Sequence, residues 1–156
     1  MAAFEIDQRV LDCNYKDCKI FVPDVKYGKV IKCYDGDTVT IATIQNDELV
    51  RFSVRMLGYD TAEIKSKDPT EKQCAKAAQA DICEMVLGKI VKVEKNEGLD
   101  KYGRLLLEIS VDGVSVNKYM KGKWGVSYYG GHKNDVDWSD FPKIPVPEDT
   151  VPEANT

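Results

Sequence analysis

The sequence contains a single histidine, His132, and no apolar run that approaches the length needed to cross a membrane. One histidine excludes metal sites that require two or more imidazole ligands. Residues 1–10 include an early acid and no apolar core, so the sequence predicts no secretory signal. We therefore expect a protein that has no membrane partner.

A complete disulfide framework is also missing, because the number of cysteines is odd. The five are Cys13, Cys18, Cys33, Cys74 and Cys83. Cys13 and Cys18 have the spacing of half a zinc site, but no second pair follows with ligand spacing. Free thiols in a reducing compartment are the favoured interpretation, and this cysteine usage suggests an intracellular protein.

The sequence has little net charge, −4 in all, which at first argues against nucleic acid as a partner. The charge is unevenly distributed, however. Residues 26–133 carry 18 basic and 15 acidic residues, whereas six acids and one base follow residue 133. With 156 residues the chain is long enough for one domain. We predict an N-terminal extension over residues 1–25, a domain over residues 26–133 and an acidic, proline-rich, flexible tail over residues 134–156.

Period-two patterns in the first half of the domain predict three antiparallel strands. Residues 26–34 and 38–43 alternate on either side of Asp35-Gly36, a dipeptide typical of hairpins. A second turn at residues 45–47 leads to a strand that carries Arg55. Residues 89–94 and 104–110 predict a fourth and a fifth strand.

Two helices are predicted between and after these strands. Asp68 as N-cap, Pro69 at the first position and Glu71 bonding back to the cap predict a helix that runs to Leu87 and stops at Gly88. A short helix capped by Ser115 should run through residue 120 and close at residue 122. The predicted fold class is α+β, mainly β: a five-stranded OB-fold barrel with one long helix and one short helix.

The stretch from Arg55 to Glu63 has the residue types of a site for a phosphate and a cation. Phe52, Val54 and Met56 alternate with polar residues, which predicts that Arg55 lies on the face opposite the apolar one. A guanidinium fork matches two phosphate oxygens, and the carboxylates that follow Arg55 suit a divalent cation and the activation of water. The alternative is a surface strand followed by a solvated acidic turn.

Two further stretches contain compatible chemistry. Asp35-Gly36-Asp37-Thr38 resembles the motif of phosphatases that form an aspartyl-phosphate, but the chain has too few helices for their parallel sheet. An EF-hand loop is excluded because no glycine and distal glutamate follow at the required places. Residues 99–104 offer a lysine, a tyrosine and an arginine before the fifth strand; alternatively, they form a polar loop with a half-buried tyrosine.

Taken together, these motifs resemble the staphylococcal nuclease (thermonuclease) family. Asp35-Gly-Asp-Thr, the stretch from Arg55 to Glu63, Asp100-Lys-Tyr-Gly-Arg and Asp112-Gly with Val116-Asn117 occur in the family's order and at roughly its spacing. The resemblance covers residues 26 to 130. It implies an OB-fold enzyme that uses Ca²⁺ to hydrolyse phosphodiesters of DNA and RNA and leaves 3′-phosphate ends.

The resemblance also implies roles for individual residues. Glu63 resembles the group that orients or deprotonates the attacking water, and Arg55 and Arg104 resemble the pair that binds the scissile phosphate. Asp37 and Asp60 resemble direct Ca²⁺ ligands, Thr61 resembles a ligand through its carbonyl, and Asp35 resembles a residue that supports these ligands without binding the ion itself. The groups implied to hold the terminal phosphate and to stack on the base are Lys101, Tyr102 and Tyr128. The implied substrates are DNA and RNA, preferably single-stranded or unstructured, acted on by a monomer.

Three departures from the family pattern accompany the resemblance. Ala62 stands where the family has proline, which removes a restriction on Thr61. Gly130 stands where a second stacking tyrosine is expected, and the acidic tail replaces a basic C-terminal helix. The competing hypothesis is a non-catalytic module of the same fold that binds nucleic acid or protein. The presence of Arg55 and of the carboxylates favours the enzyme.

Overall fold

The computed structural model describes residues 4–131 and 135–143 and centres on a closed barrel of five strands. The barrel strands are β1 Tyr27–Asp35, β2 Thr38–Gln45, β3 Glu48–Met56, β5 Ile90–Leu99 and β6 Leu105–Val111. Three short strands lie outside the barrel: β4 Gly58–Asp60, β7 Val114–Ser115 and β8 Val126–Tyr128. The helices are α1 Gln8–Asp12, α2 Pro69–Val86 and α3 Val116–Trp124, with short 3-10 turns at Tyr15–Asp17 and Trp138–Asp140.

The barrel closes because β3 pairs in parallel with β6, while β1–β2, β2–β3, β1–β5 and β5–β6 pair antiparallel. Its interior is filled by fully buried aliphatic side chains such as Val30, Ile41, Val54 and Leu107. The predicted OB-like barrel is therefore confirmed. No helix in the described part of the chain is long and apolar enough to span a membrane.

The β1–β2 hairpin turns at Asp35-Gly36, as the dipeptide predicts. Glycine is required at position 36 by space and not by backbone angle. A Cβ there would lie 2.9 Å from the Ala78 Cβ and 3.0 Å from the Thr61 Oγ1. The hairpin turn is therefore packed directly against α2 and against the residues that follow β4.

Helix α2 begins as its sequence predicts, since the Asp68 side chain accepts a hydrogen bond from the Thr70 N–H at 3.1 Å and Pro69 is the first helical residue. It ends at Val86, before Gly88, whose φ of +78° suits glycine. The predicted capping box is wrong in one respect: the Glu71 carboxylate bonds to Glu63 and Ser66, not to the Asp68 N–H.

Helix α3 is capped by Ser115 as predicted, with its Oγ accepting from the Lys118 N–H at 3.2 Å. It runs past Gly122 to Trp124, so the predicted end was wrong. The reason is tertiary: Trp124 is buried and donates its indole N–H to Asp81 of α2 at 2.7 Å. Tyr119 also donates to Asp81, at 3.0 Å, which fastens the two helices together.

A second small sheet, β4 with β8, was not predicted. In it, Gly58 pairs with Tyr128 and Asp60 pairs with Val126. Gly58 has a φ of +95°, so it ends β3 and lets the chain turn into β4. The pairing places Tyr128 beside the end of β3.

The two ends of the described chain differ in their contacts. Residues 4–22 are exposed, and the chain joins the barrel at Pro23 and Val25, which are buried. In the segment predicted as a flexible tail, Trp138 and Phe141 pack against the core. Lys143 donates to the Lys123 and Gly125 carbonyls at 2.8 Å each, which holds it at the end of α3, while the turn at Trp138–Asp140 contacts α2. His132, residue 134 and residues 144–156 lie outside the described residues, and the domain limits stay predictions.

Candidate active site

Arg55, at the end of β3, is buried with 7% of its surface exposed. The period-two pattern placed Arg55 on the face opposite the apolar residues but did not predict its burial, which arises because Tyr59, Asp60 and Tyr128 lie against that face. Its Nη1 donates to the Tyr59 carbonyl at 2.9 Å and its Nη2 donates to Asp60 Oδ1 at 3.2 Å. The Tyr128 ring lies over the guanidinium at 5.6 Å.

Asp37, on the β1–β2 hairpin, is buried and approaches the other terminal nitrogen of the same guanidinium. Its Oδ2 lies 3.5 Å from Arg55 Nη1 and accepts from both the N–H and the hydroxyl of Thr61 at 3.1 Å. Its Oδ1 accepts from the Thr38 hydroxyl at 3.0 Å. Burial alone would raise the pKa of Asp37, but the Arg55 charge, followed by hydrogen bonds from the Asp35 side chain, the Thr61 N–H and the Asp60 side chain, holds it below its usual range.

Asp35, at the end of β1, has the opposite electrostatic environment. Burial, followed by the charge of Asp37, raises its pKa to about 8. The charge of Glu63 makes a smaller contribution in the same direction to the pKa of Asp35. Of the interactions that shift this pKa, only the hydrogen bond from the Asp37 N–H, at 3.0 Å, favours the charged form of Asp35. Negative charge therefore exceeds what Arg55 neutralises, and the cluster favours a further positive charge.

Two buried side chains that sequence reasoning missed fix the backbone around this cluster. Tyr59 is fully buried and donates its hydroxyl to the Gly36 carbonyl at 2.7 Å. Asn117 donates to the Leu57 and Leu107 carbonyls at 2.9 and 3.0 Å. Asn117 belongs to a motif quoted above, but nothing in the sequence near Tyr59 indicates its partner.

Glu63 follows the buried residues Thr61 and Ala62 and is itself exposed. Its backbone N–H donates to the Glu71 carboxylate at 2.9 Å. The residue assigned to water activation therefore lies at the solvent-facing edge of the cluster, where a water has access to it.

A second cluster occupies the loop between β5 and β6. Arg104 Nε donates to Asp100 Oδ2 at 2.7 Å, and Asp100 Oδ1 accepts from the backbone N–H groups of Tyr102 and Arg104 at 2.9 Å. The Lys101 ammonium and the Arg104 guanidinium each lie 5.2 Å from the centre of the Tyr102 ring. With 71% of its surface exposed, Tyr102 presents an aromatic ring between two cations to solvent.

The barrel register relates the two clusters. Arg55 pairs with Leu106, which lies two residues after Arg104. Among the predicted site residues, the structure brings Asp35, Asp37, Arg55, Asp60 and Thr61 together, with Tyr128 stacked on the arginine. Lys101, Tyr102 and Arg104 form the neighbouring group.

The donor set around Arg55 determines which metal it suits. Within residues 4–131 and 135–143 no group of three or more His, Cys, Asp or Glu side chains is arranged to hold a metal ion. Asp37, Asp60 and Thr61 nevertheless offer only oxygen atoms, which fits a hard cation such as Ca²⁺ and does not fit Zn²⁺. Ca²⁺ accepts incomplete protein coordination because water supplies the remaining ligands.

Comparison with known proteins gives a family match in the same region. The model of the staphylococcal nuclease homologue family matches residues 53–129. This part of the chain is therefore similar to the staphylococcal nuclease family. The match contains Arg55, Asp60, Glu63, Arg104 and Tyr128 and leaves the β1–β2 hairpin outside its limits. An uncharacterized protein from Bacillus anthracis is 31% identical over 105 residues, which cover 65% of this chain. The chain spans about half of that relative, 47% of its length.

Proposed function

We propose that this staphylococcal nuclease-like domain is a Ca²⁺-dependent nuclease that hydrolyses phosphodiester bonds of DNA and RNA and leaves 3′-phosphate ends. The observation that carries the proposal is Arg55, a buried arginine whose guanidinium lies between Asp37 and Asp60 at the end of a barrel strand. A barrel of this kind gains nothing obvious from burying such a set, since a hydrophobic replacement is often as stable.

The position of each side chain supports the proposed roles. Arg55 is restrained by the Tyr59 carbonyl and by Asp60, so its donors are preorganised for the charge that develops on a phosphate. Arg104, on the neighbouring loop, supplies a second guanidinium. Glu63, exposed at the edge, orients or deprotonates the attacking water.

Asp37, Asp60 and the Thr61 carbonyl would hold Ca²⁺, with Asp35 behind them, and this accounts for the excess of carboxylates over arginine. When bound, the ion would supply positive charge against the phosphate oxygens. The oxygen-only donor chemistry is the support for Ca²⁺ over Zn²⁺.

Lys101, Tyr102 and Tyr128 are proposed to hold the terminal phosphate and to stack on a base. The exposed Tyr102 ring, with a lysine and an arginine on it, suits an unpaired base and its phosphate, because stacking needs a base that is not already in a duplex. We therefore propose single-stranded or unstructured DNA and RNA as preferred substrates and a monomer as the active form.

The test is cleavage of a short DNA strand and a short RNA strand by metal-free protein, with Ca²⁺ added back, with Zn²⁺ and with excess chelator. We expect cleavage with Ca²⁺ and products that carry 3′-phosphates. Full activity in excess chelator would exclude the Ca²⁺ mechanism, and products with 3′-hydroxyls would exclude the proposed bond cleavage.

A non-catalytic binding module is the second candidate, and one observation favours it. Each side of the Arg55 fork already has an acceptor in the protein: Nη1 on the Met56 and Tyr59 carbonyls, and Nη2 on Asp60. Under this hypothesis the ion pairs are purely structural. Strand binding without any turnover under the Ca²⁺ conditions above would favour the module.

A further inference from the structure

Glu71 lies at the third position of α2, where a glutamate ordinarily bonds back to the N-cap residue. Here its carboxylate reaches further. Oε2 accepts from the Glu63 backbone N–H at 2.9 Å, and Oε1 accepts from the Ser66 hydroxyl at 3.0 Å. The Asp68 N–H, its usual partner, donates to the Ser66 hydroxyl at 3.1 Å instead.

These bonds close the segment from Glu63 to Ser66 against the start of α2. The Ser66 N–H also donates to the Glu63 carbonyl at 3.1 Å, so both backbone groups of Glu63 are hydrogen-bonded to this segment or to the helix. A carboxylate that accepts at both oxygens fixes two points of the backbone at once, and charge assistance strengthens each bond.

The residue before Glu63 makes this contact important. Ala62 is buried, so the chain is held on the barrel side of Glu63, but alanine leaves the backbone of the turn unrestricted where a proline ring would limit it. Through Glu71, α2 restrains the Glu63 backbone in this chain. The side chain of Glu63 thereby projects from a fixed point of the backbone at an exposed position.

We propose that Glu71 is a positioning residue for Glu63: it fixes the backbone from which the water-activating carboxylate projects. The inference rests on the proposed function, because it assigns Glu71 a purpose only if Glu63 acts on water. A misplacement of about 1 Å is enough to reduce a rate by one or two orders of magnitude.

The test compares Glu71→Ala, Glu71→Gln and Asp68→Ala in single-turnover cleavage of a short DNA strand at saturating protein and Ca²⁺, well below the unfolding temperature of all variants. Asp68→Ala is the matched control, because it removes a cap from the same turn of α2 and leaves the Glu71 contacts in place. Glu71→Gln keeps one oxygen acceptor for the Glu63 N–H.

We expect Glu71→Ala to slow the single-turnover rate about tenfold or more, with strand affinity unchanged, Glu71→Gln to restore most of the rate and Asp68→Ala to cleave like the wild type. A wild-type rate for Glu71→Ala would overturn the inference. Equal slowing by Asp68→Ala would also overturn it, because the loss would then follow from weakening the start of the helix.

A second readout does not depend on catalysis. Hydrogen exchange of the Glu63 amide, measured by NMR in chelator, should accelerate in Glu71→Ala and stay slow in Asp68→Ala. Unchanged exchange in Glu71→Ala would overturn the positioning contact itself. If the wild type fails to cleave under any Ca²⁺ condition, the proposed function fails, and this result is distinct from an active wild type with an equally active Glu71→Ala variant.

Discussion

Arg55 and Arg104 each pair with an aspartate near one end of the barrel, but the surroundings of the two pairs differ. The side chains of Arg55 and Asp60 are 9% and 7% exposed, and Asp37 approaches the same guanidinium. The side chains of Arg104 and Asp100 are 29% and 14% exposed and lie four residues apart in one loop. Arg55 and Asp60 are only five residues apart, but Asp37 brings the distant β1–β2 hairpin to the same guanidinium, whereas the second pair is confined to one loop.

Because the two pairs differ in burial, loss of each arginine should affect stability and activity in different proportions. Removing one member of a buried ion pair leaves the other charged and desolvated, which is strongly destabilising. Removing one member of a partly exposed pair costs little, because water and salt compensate the remaining charge. If both arginines serve the same reaction, replacing either one should reduce activity by a similar factor, whereas only the replacement of Arg55 should strongly lower the free energy of unfolding.

The largest effect is expected for Arg55→Met. Because Asp37 and Asp60 would lose their common partner, the free energy of unfolding should fall by about 3–5 kcal/mol, and cleavage should be lost. Urea unfolding in chelator measures the first effect. Arg51→Met, at an exposed position of the same strand, is the control and should change stability little. A loss below about 1 kcal/mol for Arg55→Met would break the distinction between the two pairs.

Arg55→Lys asks whether the planar fork matters apart from the charge. Lysine keeps a cation near Asp37 and Asp60 but cannot donate to the Tyr59 carbonyl and Asp60 in the same geometry. We expect the single-turnover rate to fall by on the order of a hundredfold or more, with strand affinity changing far less. Equal losses in rate and in affinity would contradict the proposed role, because Arg55 would then bind the substrate and the transition state equally well.

Arg104→Met should show the reverse balance between stability and activity. Its partly exposed pair with Asp100 is worth no more than about 1 kcal/mol, so the unfolding midpoint should stay near that of the wild type. The cleavage rate should nevertheless fall by one to two orders of magnitude, which is about the loss expected for a missing donor at the phosphate. A fall in the free energy of unfolding as large as that of Arg55→Met would contradict the proposed difference between the two pairs.

The sequence predicted the local features of both regions better than their burial. Period two identified the strands, Asp35-Gly36 identified the hairpin and Ser115 identified the start of α3, because each of these signals acts over a few residues. The burial of Arg55 was missed because one of the residues that cover the guanidinium, Tyr128, lies on a strand of only three residues, which shows no period in the sequence.

The same limit explains the other differences. The partners of Glu71 and the extension of α3 to Trp124 depend on side chains that meet only after folding. Trp124 donates a hydrogen bond to Asp81 of α2, a helix much earlier in the chain, and this bond outweighs the cost of continuing α3 through Gly122. The residues that resemble the family motif were found by sequence because the motif specifies identity and order, not burial.

The smallest expected effect concerns pH. Burial would raise the pKa of Asp100, but the backbone N–H groups of Arg104 and Tyr102 and the Arg104 side chain outweigh it and hold the pKa below the usual 3.8. A carboxylate with a lowered pKa stabilises the fold above that usual value and loses its contribution as the pH falls through the folded-state pKa. Asp100→Asn should therefore cost about 1 kcal/mol at pH 6 to 7, and the difference from wild type should shrink towards pH 3. Thermal unfolding across this range measures it; a constant difference would show that the charge of Asp100 is irrelevant.

The central claim is that this domain cleaves phosphodiesters with Glu63 acting on the attacking water, and Glu63→Gln tests it most directly. The substitution keeps the size of the side chain and removes the base, while Glu84→Gln makes the same change at an exposed position of α2. The measurement is single-turnover cleavage of a short single strand at saturating protein and Ca²⁺, with strand affinity determined in parallel. We predict a rate lower by about a hundredfold or more for Glu63→Gln, unchanged affinity, and wild-type behaviour for Glu84→Gln. A wild-type rate for Glu63→Gln would contradict the mechanism.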